Sequence, residues 1–224
     1  MSQERWNDIE RYTTELLAKP DAHLAATLAS SAKAGLPAIQ VSPVEGKFLM
    51  ILARAVRAER ILEIGTLGGY SSIWLARALE PKGRLISLEA DPKHAEIARG
   101  NFANAGLSDR IDVRVGPALD TLPKLIEECK GPFDLTFIDA DKQNTWEYFD
   151  WVVKLSRSGS VIVVDNVVRH GELTDAESTD PSVCGMRRFC ANLAVDTRVS
   201  GTVIQTVGSK GYDGFAIAVV KGGA

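Results

Sequence analysis

Ile61-Leu62-Glu63-Ile64-Gly65-Thr66-Leu67-Gly68-Gly69-Tyr70-Ser71 is an apolar run of strand length that passes through a glycine-rich turn into sequence suited to a helix. A strand handing over to a helix in this way is the first half of a β-α-β unit. The rhythm recurs: Arg60–Ile64, Leu85–Glu89, Ile111–Val115, Leu135–Asp139 and Val161–Asp165 are short runs rich in β-branched and apolar residues. Amphipathic helical stretches separate them, one opened by Asp91-Pro92 and closed by Gly106. Strands alternating with helices of that length require right-handed crossovers, so a parallel sheet with helices on both faces is expected. After Val195 the pattern changes. Val199–Val207 and Gly214–Val220, separated by Gly208-Ser209-Lys210-Gly211-Tyr212-Asp213, predict a hairpin that closes the sheet with an antiparallel edge.

Upstream, Ser42-Pro43-Val44-Glu45 combines a capping serine, a proline suited to the first helical position and a glutamate placed to complete a capping box. Val44, Phe48, Leu52 and Val56 recur at helical spacing, which predicts a packed helix to about Arg57. Residues 1–40 read as two helical pieces, Trp6 to Ala18 and Ala22 to Ala34, divided by Lys19-Pro20-Asp21 and closed by Gly35-Leu36-Pro37. Trp6, Ile9, Leu16 and Leu17 give the first piece apolar points that can cap the core, cover an active site or meet a second subunit. Core packing is the ordinary fate of such residues. The expected division is a helical extension over 1–40 and an α/β domain over 41–224.

A length of 224 residues suits one α/β unit with a short extension. Hydrophobic and charged contents of 45% and 25% are globular values and argue against a disordered or fibrous chain. The net charge of -3 comes with Lys and Arg scattered along the chain, so no nucleic-acid footprint is expected. Cys129, Cys184 and Cys190 are odd in number and lack metal-type spacing, which suggests neither a disulfide framework nor a zinc site and fits a reducing cytoplasm. No apolar leader or membrane-length stretch is read, so no membrane partner is expected.

In an open α/β sheet, ligands bind outside the carboxyl ends of the strands, where the turn after Ile64 lies. Glycines there let backbone approach a ligand closely. Glu89 ends the next strand, placed to accept hydrogen bonds from the ribose hydroxyls of a nucleoside. Gly65-Thr66-Leu67-Gly68-Gly69-Tyr70 does not fit GxGxxG, and no phosphate-binding GKS or GKT is present. A pyrophosphate cradle is therefore not indicated. S-adenosylmethionine carries no phosphate, and the Glu63-x-Gly65 pattern suits it.

Two further strand ends carry carboxylates, Asp139 and Asp165, the latter followed by Asn166. Two carboxylates and an amide oxygen on one edge suit a hard cation, Mg²⁺, Mn²⁺ or Ca²⁺, and do not suit zinc. A lone aspartate in such a place is as readily a helix cap. Lys142 lies close behind Asp139, and a neighbouring dication would disfavour its charged form, which makes it a candidate general base. Surface exposure is the commoner fate of a lysine.

Glu63-Ile64-Gly65-Thr66, Gly69-Tyr70-Ser71, Asp139-Ala140-Asp141-Lys142 and Asp165-Asn166, in this order, resemble the cation-dependent class I O-methyltransferases, which include the caffeoyl-CoA and catechol enzymes. The resemblance runs from about Val41 to the C-terminus. It implies a Rossmann-like doubly wound sheet of seven strands, the last antiparallel, and methyl transfer to a small aromatic vicinal diol. It further implies cofactor contacts at Val41, Glu63, Gly65, Thr66, Ser71, Glu89, Ala118 and Asp141, with Asp139 and Tyr148 near substrate, and a homodimer. Plant members often carry Asn shortly after the Asp-Asn pair, where this chain has Arg169-His170. His170 reads as a loop histidine, and His23 and His94 as surface or helix residues. A nicotinamide dehydrogenase would want GxGxxG and has no use for the acidic strand ends. A non-catalytic binding protein on the same scaffold would have lost a ligand or the lysine.

Overall fold

The computed structural model describes residues 2–222. Helices α1 (Gln3–Leu17), α2 (Ala22–Lys33) and α3 (Pro43–Ala55) precede β1 (Arg60–Ile64), α4 (Tyr70–Ala76), β2 (Arg84–Glu89), α5 (Pro92–Asn104) and β3 (Ile111–Val115). Then follow α6 (Ala118–Glu127), β4 (Phe133–Ile138), a 3-10 turn over Lys142–Asn144, α7 (Thr145–Lys154) and β5 (Ser156–Val164). A kinked turn over Arg169–Thr174 leads to α8 (Pro181–Val195), β6 (Val199–Gly208) and β7 (Gly211–Val220). Side-chain oxygens cap the helices as the sequence implies: Asp21 accepts from the Leu24 N–H, Ser42 from Glu45, Asp91 from Lys93, and Asp180 from Ser182. Among the described residues no helix is long and apolar enough to cross a membrane.

The seven strands stand in the order β3-β2-β1-β4-β5-β7-β6. The first five pair in parallel, and β7 runs antiparallel to both β5 and β6. This is the expected Rossmann-like doubly wound sheet with its last strand reversed. One face is covered by α3, α4 and α5, against which Leu24 of α2 also packs. The other is covered by α6, α7 and α8. Burial on both faces explains why β4 is buried along its whole length and β1 beyond Arg60.

The hairpin differs from its expected form. Its turn is only Ser209-Lys210, because Gly208 pairs with Gly211 and Gly211 takes a φ of +95°. The antiparallel strand is not the edge: β7, with Ala216, Ala218 and Val220 buried, inserts between β5 and β6. The largely exposed β6, with Ser200, Thr202, Gln205 and Thr206, is the edge that water tolerates.

Two helices also bury a different face from the one expected. On α3 the deep residues are Gly46, Leu49, Met50 and Ala53, while Val44 is exposed and Phe48 lies against Phe215 at 5.1 Å between ring centres. The helix rolls toward α4 because Gly46 leaves room for the Trp74 indole. Helix α1 buries no residue completely. Of the four apolar points read from the sequence, Leu16 and Leu17 face outward at 63% and 71% exposure and Ile9 is 52% exposed, while Trp6 is half-buried, so none of them joins the core. Its links run to the hairpin, where Gln3 Nε2 donates to the Gly208 carbonyl at 2.8 Å and Glu10 accepts from the Ser209 N–H.

Candidate active site at the carboxyl edge of the sheet

The chain begins its sheet in the middle with β1, builds outward to β3, then crosses back to place β4 on the other side of β1. A crevice therefore opens between the loops after β1 and β4. Sheet hydrogen bonding continues one residue beyond the strands: Asp139 N–H donates to Ile64 at 2.9 Å, Asp165 to Ile138 at 2.9 Å, and Gly65 to Leu88 at 2.8 Å. These bonds set Gly65, Asp139 and Asp165 side by side on one edge.

On the β1–β2 side lies a cavity of about 680 Å³ whose wall includes Val41, Gly65, Thr66, Ser71, Glu89, Ala118 and Asp141. Seven of the eight expected cofactor residues thus face one space. Glu63 stands one layer behind them at 0% exposure, where it accepts from Ser71 Oγ at 2.6 Å, Ser87 Oγ at 2.6 Å, and Ser72 Oγ. Burial pushes its carboxyl above the usual range, opposed by these hydroxyls. Glu63 consequently organises Ser71 at the wall. Glu89 accepts from the Thr66 N–H at 3.1 Å and the Leu67 N–H at 2.8 Å, and its other oxygen accepts from Asp91 at 3.0 Å. The glycine turn is thereby tied to the end of β2. His94, read as a partnerless helix residue, instead lies 3.7 Å from Glu89 and lines the same cavity, whereas His23 is exposed.

Asp141 takes the capping role that its position suggests, accepting from the Asn144 N–H at 3.3 Å and Nδ2 at 2.6 Å, while its second oxygen accepts from the Tyr148 hydroxyl. Burial and the Asp141 charge push the Tyr148 phenol upward, so it stays a neutral donor. Tyr148 lines the cofactor-side cavity.

Lys142 is only 8% exposed, and its ammonium lies 2.8 Å from Asp139 Oδ1. Helix α8 clamps the turn that carries it: a Cβ on Gly185 would lie 2.2 Å from the Lys142 carbonyl oxygen. Asp165 is 6% exposed; burial and the charges of Glu45 and Asp139 push its carboxyl well above the usual range, against Lys142 and the Asn166 N–H. Glu45 is likewise pushed up by burial and the charge of Asp139, opposed by the charge of Lys210. Three carboxyl groups thus face two ammonium groups, Lys142 and Lys210, a surplus of negative charge that a cation relieves. The Asn166 side-chain amide, held at a φ of +55°, has no hydrogen-bond partner among the described residues. Those residues contain no cluster of three His, Cys, Asp or Glu side chains arranged as a complete metal site. Two aspartates and an amide, completed by water and acceptor oxygens, still match the incomplete protein shell that suits Mg²⁺.

A second cavity of about 720 Å³ adjoins the first, sharing Ile39, Asn166 and Arg169 with it. Asp165, Asn166 and Glu45 stand at its inner end, and Trp6, Ile9, Val44, Phe48, Val207 and Phe215 supply apolar wall. Sequence reasoning missed three residues here. Glu45 looked like a capping-box glutamate, and Lys210 like a turn residue. Arg169 stood in a segment without readable chemistry. The one available signal was the departure at Arg169-His170 from the plant pattern.

A family model described as O-methyltransferase matches residues 15–217. A catechol O-methyltransferase from Niastella koreensis is 52% identical over 99% of this chain and 100% of its own length. An O-methyltransferase from Bacillus cereus, solved in complex with SAH, is 54% identical and superposes with a TM-score of 0.96 over 98% of this chain and 100% of its own. The O-methyltransferase TomG from Streptomyces achromogenes, involved in tomaymycin synthesis and solved with SAM, is 50% identical, with a TM-score of 0.96 over 99% of this chain and 100% of its own.

Proposed function

We propose, given that this chain belongs to the O-methyltransferase family, that it moves the methyl group of S-adenosylmethionine onto one hydroxyl of a small aromatic vicinal diol with the help of a divalent cation. The observation that carries this reading is the Lys142–Asp139 pair, 2.8 Å apart in the wall of the first cavity, whose charges act on the buried Asp165 of the second. The solved relatives with SAH or SAM support the donor, and the catechol O-methyltransferase relative supports the acceptor class.

Val41, Thr66, Ser71, Glu89, Ala118 and Asp141 line the donor's cavity, with Glu63 holding Ser71 in place. Asp139, Asp165 and Asn166 would hold the cation, Mg²⁺ in preference to Mn²⁺ or Ca²⁺. When bound, the cation supplies charge that acidifies and orients a diol hydroxyl. Lys142 Nζ, placed beside Asp139, would serve as the base that takes the hydroxyl proton; an oxygen lone pair forms the O–CH3 bond as the S–CH3 bond breaks, leaving S-adenosylhomocysteine. Opposite charges cancel along this path, so alignment of oxygen, methyl carbon and sulfur contributes most.

Helix α1 supports two further parts of the reading: Trp6 and Ile9 in the cavity wall suit residues 1–40 as an extension that covers the acceptor cavity, and the exposed Tyr12, Leu16 and Leu17 suit a homodimer formed through that face. Three free cysteines suit a reducing cytoplasm.

The decisive experiment is methyl transfer to a panel of vicinal diols with EDTA, then with added Mg²⁺. Activity should vanish with EDTA and return with Mg²⁺. Full activity after metal stripping, or parental activity in Asp165→Ala and Lys142→Ala, would overturn the mechanism.

A further inference from the structure

We propose that Arg169 is a specificity-determining residue which receives a carboxylate carried by the acceptor, so that catechol carboxylates are preferred over neutral catechols and catecholamines. The inference rests on the reading above and names the acceptor within it.

Arg169 lines both cavities, three residues beyond Asn166, at the seam where donor and acceptor meet. Its charge helps to hold the Asp180 carboxyl below the usual range, yet no carboxylate lies within 4 Å of it among the described residues, and its Nε is buried without a hydrogen-bond partner. A buried donor left unpaired is costly, which points to a partner that arrives with a ligand.

Of the other charges of the acceptor cavity, the Lys210 ammonium donates to the carbonyls of Ile39 and Gln40, and Glu10 accepts from the Ser209 N–H through one carboxylate oxygen while the other is buried without a partner, which leaves Arg169 as the cavity's unpaired cationic donor. Asp213 Oδ1 accepts from the N–H groups of Val168 at 3.0 Å, Arg169 at 2.9 Å and Gly214 at 2.9 Å. Glu45 belongs to the crowded end beside Asp165.

The backbone is also shaped to present this side chain. Arg169 and His170 sit at φ of +54° and +57°, strained values for residues with a Cβ, and the two bonds from the Val168 and Arg169 N–H groups to Asp213 hold the turn there. Strain kept by a dedicated carboxylate has a purpose when it aims a charge. A guanidinium accepts a carboxylate through paired hydrogen bonds. One Arg beside Glu10 and Glu45 suits a monoanion better than a doubly charged phosphate.

The test measures kcat/KM with Mg²⁺ for 3,4-dihydroxybenzoate, its methyl ester and dopamine. The ester removes the charge but adds a methyl group and a more electron-withdrawing substituent, so the change in the acid-to-ester ratio between the parent and Arg169→Gln, in which both differences cancel, isolates the charge. The parent enzyme should favour the acid over ester and amine by about 10-fold or more, mostly through KM. Arg169→Gln should collapse the acid-to-ester ratio, and Arg169→Lys should keep part of it. Equal treatment of acid and ester by the parent overturns the proposal, as does a uniform loss on all three acceptors in Arg169→Gln. Weaker S-adenosylhomocysteine binding in Arg169→Gln with an unchanged ratio overturns it too, by assigning Arg169 to the donor's carboxylate. If Arg169→Gln does not fold, the parent's ranking and Arg169→Lys decide. Transfer to none of the diols would sink the proposed function itself; transfer without preference sinks only the role of Arg169.

Discussion

Gly65 and Asp139 meet across the seam between β1 and β4 so closely that a Cβ on Gly65 would lie 2.1 Å from the Asp139 carbonyl oxygen. That oxygen is backbone, held by the sheet, and Gly65 has a φ of +93°. Gly65→Ala must therefore push apart the two loops that define the crevice. A cost of about 2 kcal/mol or more in unfolding free energy is expected, with loss of S-adenosylhomocysteine binding by calorimetry. Parental affinity in this variant would show that the seam is not the donor site.

Lys142 has a chemical role that charge alone cannot fill. Lys142→Met should lower kcat by about 10²- to 10⁴-fold, the usual contribution of a general base. Lys142→Arg should not restore it, because a guanidinium keeps its proton. An active arginine variant would reduce Lys142 to an ion-pair partner of Asp139.

Glu63 couples stability to pH. Burial raises its carboxyl in the folded chain, so the folded state holds a proton that the unfolded state releases at the ordinary glutamate value, about 4.3. Stability from this group is complete below that value and is lost as pH rises through the raised one. Glu63→Gln abolishes the titration. The melting temperature of Glu63→Gln relative to the parent should accordingly rise between pH 4 and neutrality and then level off; a difference independent of pH would contradict the assignment.

Asp165 is crowded by Glu45 and Asp139, so its charge is costly until a cation arrives. Mg²⁺ should raise the parent's melting temperature. Asp165→Asn should melt higher than the parent in EDTA and respond little to Mg²⁺. An equal Mg²⁺ shift in both proteins would place the ion elsewhere.

Leu16 and Leu17 lie on the outward face of α1, 63% and 71% exposed. If that face joins two subunits, Leu16→Glu with Leu17→Glu should convert a dimer to a monomer in sedimentation equilibrium without lowering helix content. A dimer that survives both charges uses another surface.

The sheet and most of the lining of the first cavity were legible in local sequence, because short continuous apolar runs, glycine turns and capping residues act over a few neighbours. The same locality explains what was missed. Glu45 has a capping-box position, but its carboxyl is drawn to Asp165, more than a hundred residues away. Val44, Phe48, Leu52 and Val56 form a helical stripe, yet Gly46 and Trp74 set the roll of α3.

By itself, then, the sequence determined which residues stand at the carboxyl edge of the sheet: Glu89 at the end of β2, and Gly65, Asp139 and Asp165 one residue beyond β1, β4 and β5, follow from the alternation of strand and helix and from the rule that parallel strands share one carboxyl edge. Only the tertiary structure decided that Glu63 stands behind the wall, that β7 inserts inside β6, that Leu16 and Leu17 of α1 face outward, and that the Arg169 Nε is buried without a hydrogen-bond partner. Those facts depend on which side chains meet across long sequence separations, where burial and charge are settled by neighbours that no local pattern names.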